Sequence, residues 1–121
     1  MGYYHINKRR KRMEKIDIEE FAKVELKVGE IISCEEVPDS YKLLKFQVDL
    51  GDEVRQILSG IKKFYNKEDL IGKKIIVVTN LKPAVMAGLE SNGMLLCADI
   101  SSHRVKVVEM DETIPNGTII R

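Results

Sequence analysis

Two cysteines are all that these 121 residues contain, Cys34 and Cys97, and they lie far apart in apparent strands. Two thiols so placed are expected to be buried. A disulfide framework or a thiolate metal site calls for more cysteines at closer spacing. Histidine is equally scarce: His5 and His103 have no partner at metal-ligand spacing, so no metal is expected. No run approaches the roughly 18 apolar residues of a membrane helix, and the N-terminus has no apolar signal core. These absences predict a soluble, cytoplasmic protein without a membrane partner. Catalytic signatures are missing too: there is no Ser-His-Asp order in a strand–turn context and no carboxylate pair that stands out. Gly88 and Gly93 have the spacing of a phosphate loop. Yet Met94 stands where that motif needs a lysine, and a strand follows where it needs a helix. No catalytic residue and no cofactor are expected, so the chain reads as a non-enzyme.

What is there is charge, unevenly placed. The net charge is +1. Residues 1–15 hold six basic residues, including Lys8 to Arg12, against the single acid Glu14. Residues 17–41 hold two basic and eight acidic residues, whereas residues 42–82 hold nine basic and five acidic. Net charge alone argues weakly against a nucleic-acid partner, and its distribution argues for one. The length fits one domain, able to bury roughly two thirds of its unfolded surface. Residues 1–15 show no apolar period and read as a flexible basic arm, either a nucleic-acid arm or a plain extension. Residues 16–121 read as the domain.

Along the domain, Asp17 to Phe21 predicts a short helix, with Glu20 placed to reach back as in a capping box. Val24, Leu26 and Val28 alternate with Glu25 and Lys27, which predicts a half-buried strand. Gly29 interrupts it, suggesting a bulge or sharp coil that bends the strand around a small barrel. Ile31 to Cys34 continues it, and residues 37–40 form a loop. Leu44, Phe46, Val48 and Leu50 alternate with Lys45, Gln47 and Asp49. Gly51-Asp52 is a two-residue hairpin signal of type II′, and Val54 to Ile61 returns. A brief helix is expected at residues 66–70, capped by Asn66 and ended near Gly72. Ile75 to Val78, continuously apolar, predicts a strand buried on both faces. A long loop, residues 80–93, follows. Strands at 94–98, 105–110 and 118–120 complete the chain, the last after a Pro115-Asn116-Gly117 turn.

Five or more strands, a kinking glycine in the first, and a short helix between the third and fourth match the layout of an all-β OB-fold, a five-stranded Greek-key barrel. Another small β-barrel is the alternative. In an OB-fold, Lys42 at the start of strand 2, Lys45 on its outward face and Arg55 on strand 3 lie on or beside the ligand face, where cations neutralise phosphates. Each alone is more often just a solvated charge. Asn80 and Ser91 offer neutral hydrogen bonds. Met94 is either a polarizable contact or a core residue. Tyr41 is either a stacking platform or a loop anchor.

Together, Phe21 to Gly29, Lys42-Leu43-Leu44, Val48 to Gly51, Ser59-Gly60-Ile61, Asn80-Leu81-Lys82-Pro83 and Ser91-Asn92-Gly93-Met94 resemble the tRNA-binding OB domain. That domain is appended to methionyl-tRNA synthetase at its C-terminus, or stands alone as a structure-specific tRNA-binding protein. The resemblance spans about residues 17–121. It implies an OB-fold with extra terminal strands, usually a homodimer, that binds tRNA by shape without catalysis, alone or as an auxiliary subunit of methionyl-tRNA synthetase. An aminoacyl-tRNA synthetase is then a further partner. By the same resemblance the tRNA-contact positions are Lys42, Asn80, Lys82, Ser91 and Met94, with Arg55 at a basic position of the family. Ala84 and Val85 depart from it, standing where basic residues are common, and so does Tyr41, where an acid is common. A related export chaperone of the same dimeric architecture gives the alternative function, binding of polypeptides.

Overall fold

The computed structural model describes residues 13–121. The arm expected at residues 1–15 therefore falls largely outside the described residues. Its described residues, 13–15, lead into helix α1, Ile18–Phe21, where the Asp17 N–H donates to the Glu20 carboxylate at 3.3 Å. Ten strands follow. A six-stranded antiparallel sheet is built from β1 (Leu26–Glu36), β2 (Leu44–Asp49), β3 (Val54–Ser59), β4 (Lys74–Val78), β7 (Met94–Leu95) and β10 (Ile119–Ile120). The path runs β3-β2-β1-β4-β7, with β10 on the free side of β1. Two hairpins stand apart: β5 (Ala84–Met86) with β6 (Leu89–Ser91), and β8 (Cys97–Ser101) with β9 (Arg104–Val107).

The first five strands of that path make a nearly closed barrel of the OB type. Strand β1 is long enough to serve both halves. Its first residues pair with β4, Gly29 opposite Ile75, and its later ones with β2, Cys34 opposite Phe46. Alternation fixes what enters the barrel. Leu44, Phe46 and Val48 on β2 are buried together with Ile31, Ile57, Ile75 and Leu95. Each such side chain contributes about 1.5–3 kcal/mol relative to exposure.

The bulge in β1 is not at Gly29. Pairing runs unbroken through that residue, and the register slips instead between Ile31 and Ser33. Gly29 serves a close approach: a Cβ there would lie 2.6 Å from Val48 Cγ1 and 3.1 Å from Val77 Cγ2. The expected turn at Gly51 is present, with Gly51 at φ +93° and the Leu50 N–H donating to Glu53 O at 2.8 Å. The helix between the third and fourth strands is two 3₁₀ turns, Lys62–Phe64 and Lys67–Asp69, and the Asn66 side chain makes no capping bond. These segments are too short for an α-helical ladder. They seat Ile61 and Leu70, both fully buried, in the core. The strand expected at residues 94–98 is broken at Leu96. Met94 and Leu95 pair with β4, and Cys97 onward pairs with β9.

Cys34 is buried and Cys97 half-buried, and both thiols are free. Burial pushes the Cys34 thiol up to about 11 and the Cys97 thiol up to about 12. Thiolate is the reactive form. At pH 8 the native chain should therefore react with iodoacetamide on the order of a hundredfold more slowly than the urea-unfolded chain. Equal rates in the two states would show that the thiols are open to solvent.

Candidate nucleic-acid interface

The outward face of β2 and β3 carries Lys45, Gln47 and Gln56. Lys45 is paired with Glu35 at 3.4 Å, and Gln47 Nε2 donates to Gln56 Oε1 at 3.2 Å. The face is thus polar and nearly neutral. The sequence reading passed over the two glutamines, although strict alternation along β2 placed Gln47 outward. Lys42 and Tyr41, both exposed, precede β2 at one flank, and the Lys42 ammonium lies 5.6 Å from the Tyr41 ring centroid. The loop from β4 to β7 forms the other flank.

Arg55 does not lie on the outward face. It pairs across β2–β3 with Val48, whose side chain is buried, and directly paired residues share a face. At the barrel end its guanidinium forks onto Glu53, with both nitrogen–oxygen distances 3.0 Å, and donates to Thr79 O at 2.5 Å. The arginine's hydrogen bonds hold the Glu53 carboxyl below the usual carboxylate range, and the same contacts raise Arg55. Bidentate pairs of this kind are strong and geometrically fixed. Arg55 therefore ties β3 to the end of β4.

Asn80 is similarly committed. Its Oδ1 accepts from the Glu25 N–H at 2.8 Å and its Nδ2 donates to Lys23 O at 2.6 Å, anchoring the segment before β1 to the segment after β4. Lys82 is exposed and is the only cation between residues 80 and 94.

The segment expected as an irregular loop is largely a hairpin, β5–β6, turned by Ala87 and Gly88 at φ +49° and +76°. Two successive positive φ values mark a type I′ turn, which matches the twist of its strands. No Asn-Gly or Asp-Gly announced it, so turn chemistry gave no warning. Ser91 ends this hairpin with its side chain 2 % exposed. Its Oγ accepts from the Leu58 N–H at 3.0 Å and donates to Gly93 O at 3.2 Å. Beside it the Asn92 N–H donates to Gln56 O at 2.8 Å, and Gln56 Nε2 donates to Glu90 O at 2.9 Å. These bonds close the gap that the strand ladder leaves between β3 and β7. Met94 follows on β7, half-buried and opposite Val78.

Lys42, Lys82 and Met94 are thus presented toward solvent to differing degrees, whereas Arg55, Asn80 and Ser91 are engaged within the fold. Among the described residues, no group of three His, Cys, Asp or Glu side chains could hold a metal ion.

Comparison with known proteins adds three findings. Residues 26–119 match the model of the family described as "Putative tRNA binding domain". The chain is 56% identical over 106 residues to the methionine–tRNA ligase of Methanospirillum hungatei, a span of 88% of this chain but 16% of that protein. Two solved structures share the fold over their whole length. A MetRS-related protein from Pyrococcus horikoshii superposes with a TM-score of 0.86 at 39% identity over 90% of this chain. The chaperone CsaA from Bacillus anthracis superposes with a TM-score of 0.81 at 30% identity over 89%.

Proposed function

Since this chain belongs to the tRNA-binding domain family, we propose that it binds folded tRNA by shape, without catalysing a reaction, in the cytoplasm. It would act alone or as an auxiliary subunit of a methionyl-tRNA synthetase. The carrying observation is that the family match runs from the first residue of β1 into β10 and so includes both flanks of the β2–β3 face. The ligase kinship bears only on a module, because the chain spans about a sixth of that protein.

Roles divide by whether a side chain is already hydrogen-bonded within the fold. Lys42 and Lys82 neutralise phosphates, and Met94 gives an adaptable contact to a base or ribose. Arg55, Asn80 and Ser91 act at one remove, by holding the two flanks in register. A filter assay with folded tRNA against a single-stranded RNA of equal length tests the reading. Preference for folded tRNA supports it, and no binding to either at low salt removes it. Replacing Lys42 and Lys82 together by alanine should reduce the slope of log K against log salt by about 1.5, at 0.7–0.9 per lost contact. Met94→Ala should weaken binding by about 0.3–1.5 kcal/mol at every salt concentration.

A homodimer belongs to the same proposal. Helix α1 buries none of its side chains, and Ile18 and Phe21 are 71% and 45% exposed. A four-residue helix has no stability of its own, so a partner copy would cover it. Sedimentation at micromolar concentration should show a dimer, and a monomer there would remove this part. The likeness to CsaA favours a second reading, polypeptide binding on the same face. Val85, 72% exposed on β5, would then serve as an apolar contact. An unfolded polypeptide that displaces tRNA at equal concentration would favour it.

A further inference from the structure

A strip that grows more positive along its length leaves the β2–β3 face at Tyr41 and runs to the tip of the β8–β9 hairpin. It follows three adjoining hollows. The first lies against residues 36–41 and Lys62. The second, a groove of about 660 Å³, lies between the 3₁₀ segment and β9 and shares Lys62 with the first. The third, about 290 Å³, shares Lys63 and Lys106 with the second and ends at His103 and Arg104. Its lining holds three cations and one histidine and no carboxylate.

Local structure explains why the charges converge. On β9 the buried Val105 and Val107 alternate with the exposed Arg104 and Lys106, so the strand's two-residue period sends both cations to one face. The Tyr65 hydroxyl accepts from the Val107 N–H at 2.9 Å, which fixes the 3₁₀ segment against that strand. Lys63 thereby lies beside the same face.

Acids along the strip are partly matched already. Glu36 pairs with Lys62 at 3.2 Å and Glu109 with Lys73 at 3.1 Å. Asp39 and Asp69 line its other margins. Among the described residues Lys63, Arg104 and Lys106 have no carboxylate partner within 4.0 Å. Like charges held together without counter-charge repel one another, and an anion relieves that repulsion. Aromatic rings are interleaved with the cations. Lys63 lies 5.5 Å from the centre of the Tyr41 ring, and Lys106 lies 5.9 Å from that of Tyr65. Alternating cations and rings along a groove suit a nucleic-acid strand, whose charges are spaced and whose bases stack.

We propose that Lys63, Arg104 and Lys106 form a second contact for the phosphate backbone of the bound RNA, continuous with the barrel face through Tyr41. It rests on the tRNA-binding reading and extends the footprint from the barrel to the C-terminal hairpin. The three side chains are replaced by alanine in the full chain, K63A/R104A/K106A. A charge-preserving variant, K63R/R104K/K106R, is prepared beside it. Binding of folded tRNA is followed by filter assay from 50 to 200 mM salt.

The neutralised variant should lose about 2–3 units of salt slope, at 0.7–0.9 per contact. The charge-preserving variant should keep the wild-type slope. An unchanged slope in the neutralised variant, beside wild-type protein that binds tRNA, overturns this contact and leaves the tRNA reading standing. Equal loss of slope in both variants also overturns it, because charge would then not be the property that matters. Poly-glutamate that binds wild type without displacing tRNA, and does not bind the neutralised variant, would assign the strip to acidic polypeptides instead. Wild-type protein that binds no tRNA removes both the strip and the reading on which it rests.

Discussion

Ser91→Ala should lower the stability of the domain by about 1–3 kcal/mol, because it leaves the Leu58 N–H without its acceptor. Leu58 is fully buried, so water is poorly placed to substitute. For a domain of about 100 residues, each kcal/mol is about 4–8 °C in Tm. Ser91→Thr keeps the hydroxyl and tests whether the hydrogen bond or the small volume matters. Thermal unfolding of both variants gives the first comparison. The second is tRNA affinity at a temperature where Ser91→Ala is still folded. If Ser91 closes the seam, stability falls and affinity follows only as far as the loop loosens. An unchanged Tm with lost affinity would make the hydroxyl a direct RNA contact. Unchanged values of both would leave the Asn92 to Gln56 bond as sufficient closure.

The larger loss of stability is expected from Gly117→Ala. Gly117 sits at φ +89°, and an added Cβ would lie 2.4 Å from Leu50 O, a backbone atom that cannot rotate away. Left-handed geometry costs a non-glycine residue about 1–2 kcal/mol, and overpacking adds about 1–3 kcal/mol. The sum, about 2–5 kcal/mol, is a large share of the stability of any small domain. Gly72→Ala supplies the control: φ is +90° there, and nothing lies within 4 Å of the added carbon. It should cost only the backbone part. Urea unfolding of the two variants separates conformational strain from the collision of the 115–117 turn with the β2–β3 turn. Equal losses would mean that this contact yields without cost.

Much of the barrel was readable from alternation. β2 needed only Leu44, Phe46 and Val48 set against Lys45 and Gln47, and the glycine after it announced the turn. Helix α1 was signalled by its capping residues. The β5–β6 hairpin was not readable, because Ala87-Gly88 carries little of the turn signal that Asn-Gly would. The bulge was misplaced for a related reason. A glycine reads the same whether it frees the backbone or makes room for Val48, and only the packed partner tells which.

The candidate contacts divide along the same line. Composition and local order determined that its strands follow an OB order and that cations gather in its middle third. Tertiary structure alone decided which of the chosen residues face outward. Arg55 is drawn inward by its register against Val48, and Ser91 is buried by a seam whose other side lies 33 residues away. It also brought Lys63 beside Arg104 and Lys106, which are separated by about 40 residues of chain. A sequence records period and neighbours along the chain. The face a strand shows to its partner, and the charges that meet across a groove, depend on register between distant segments.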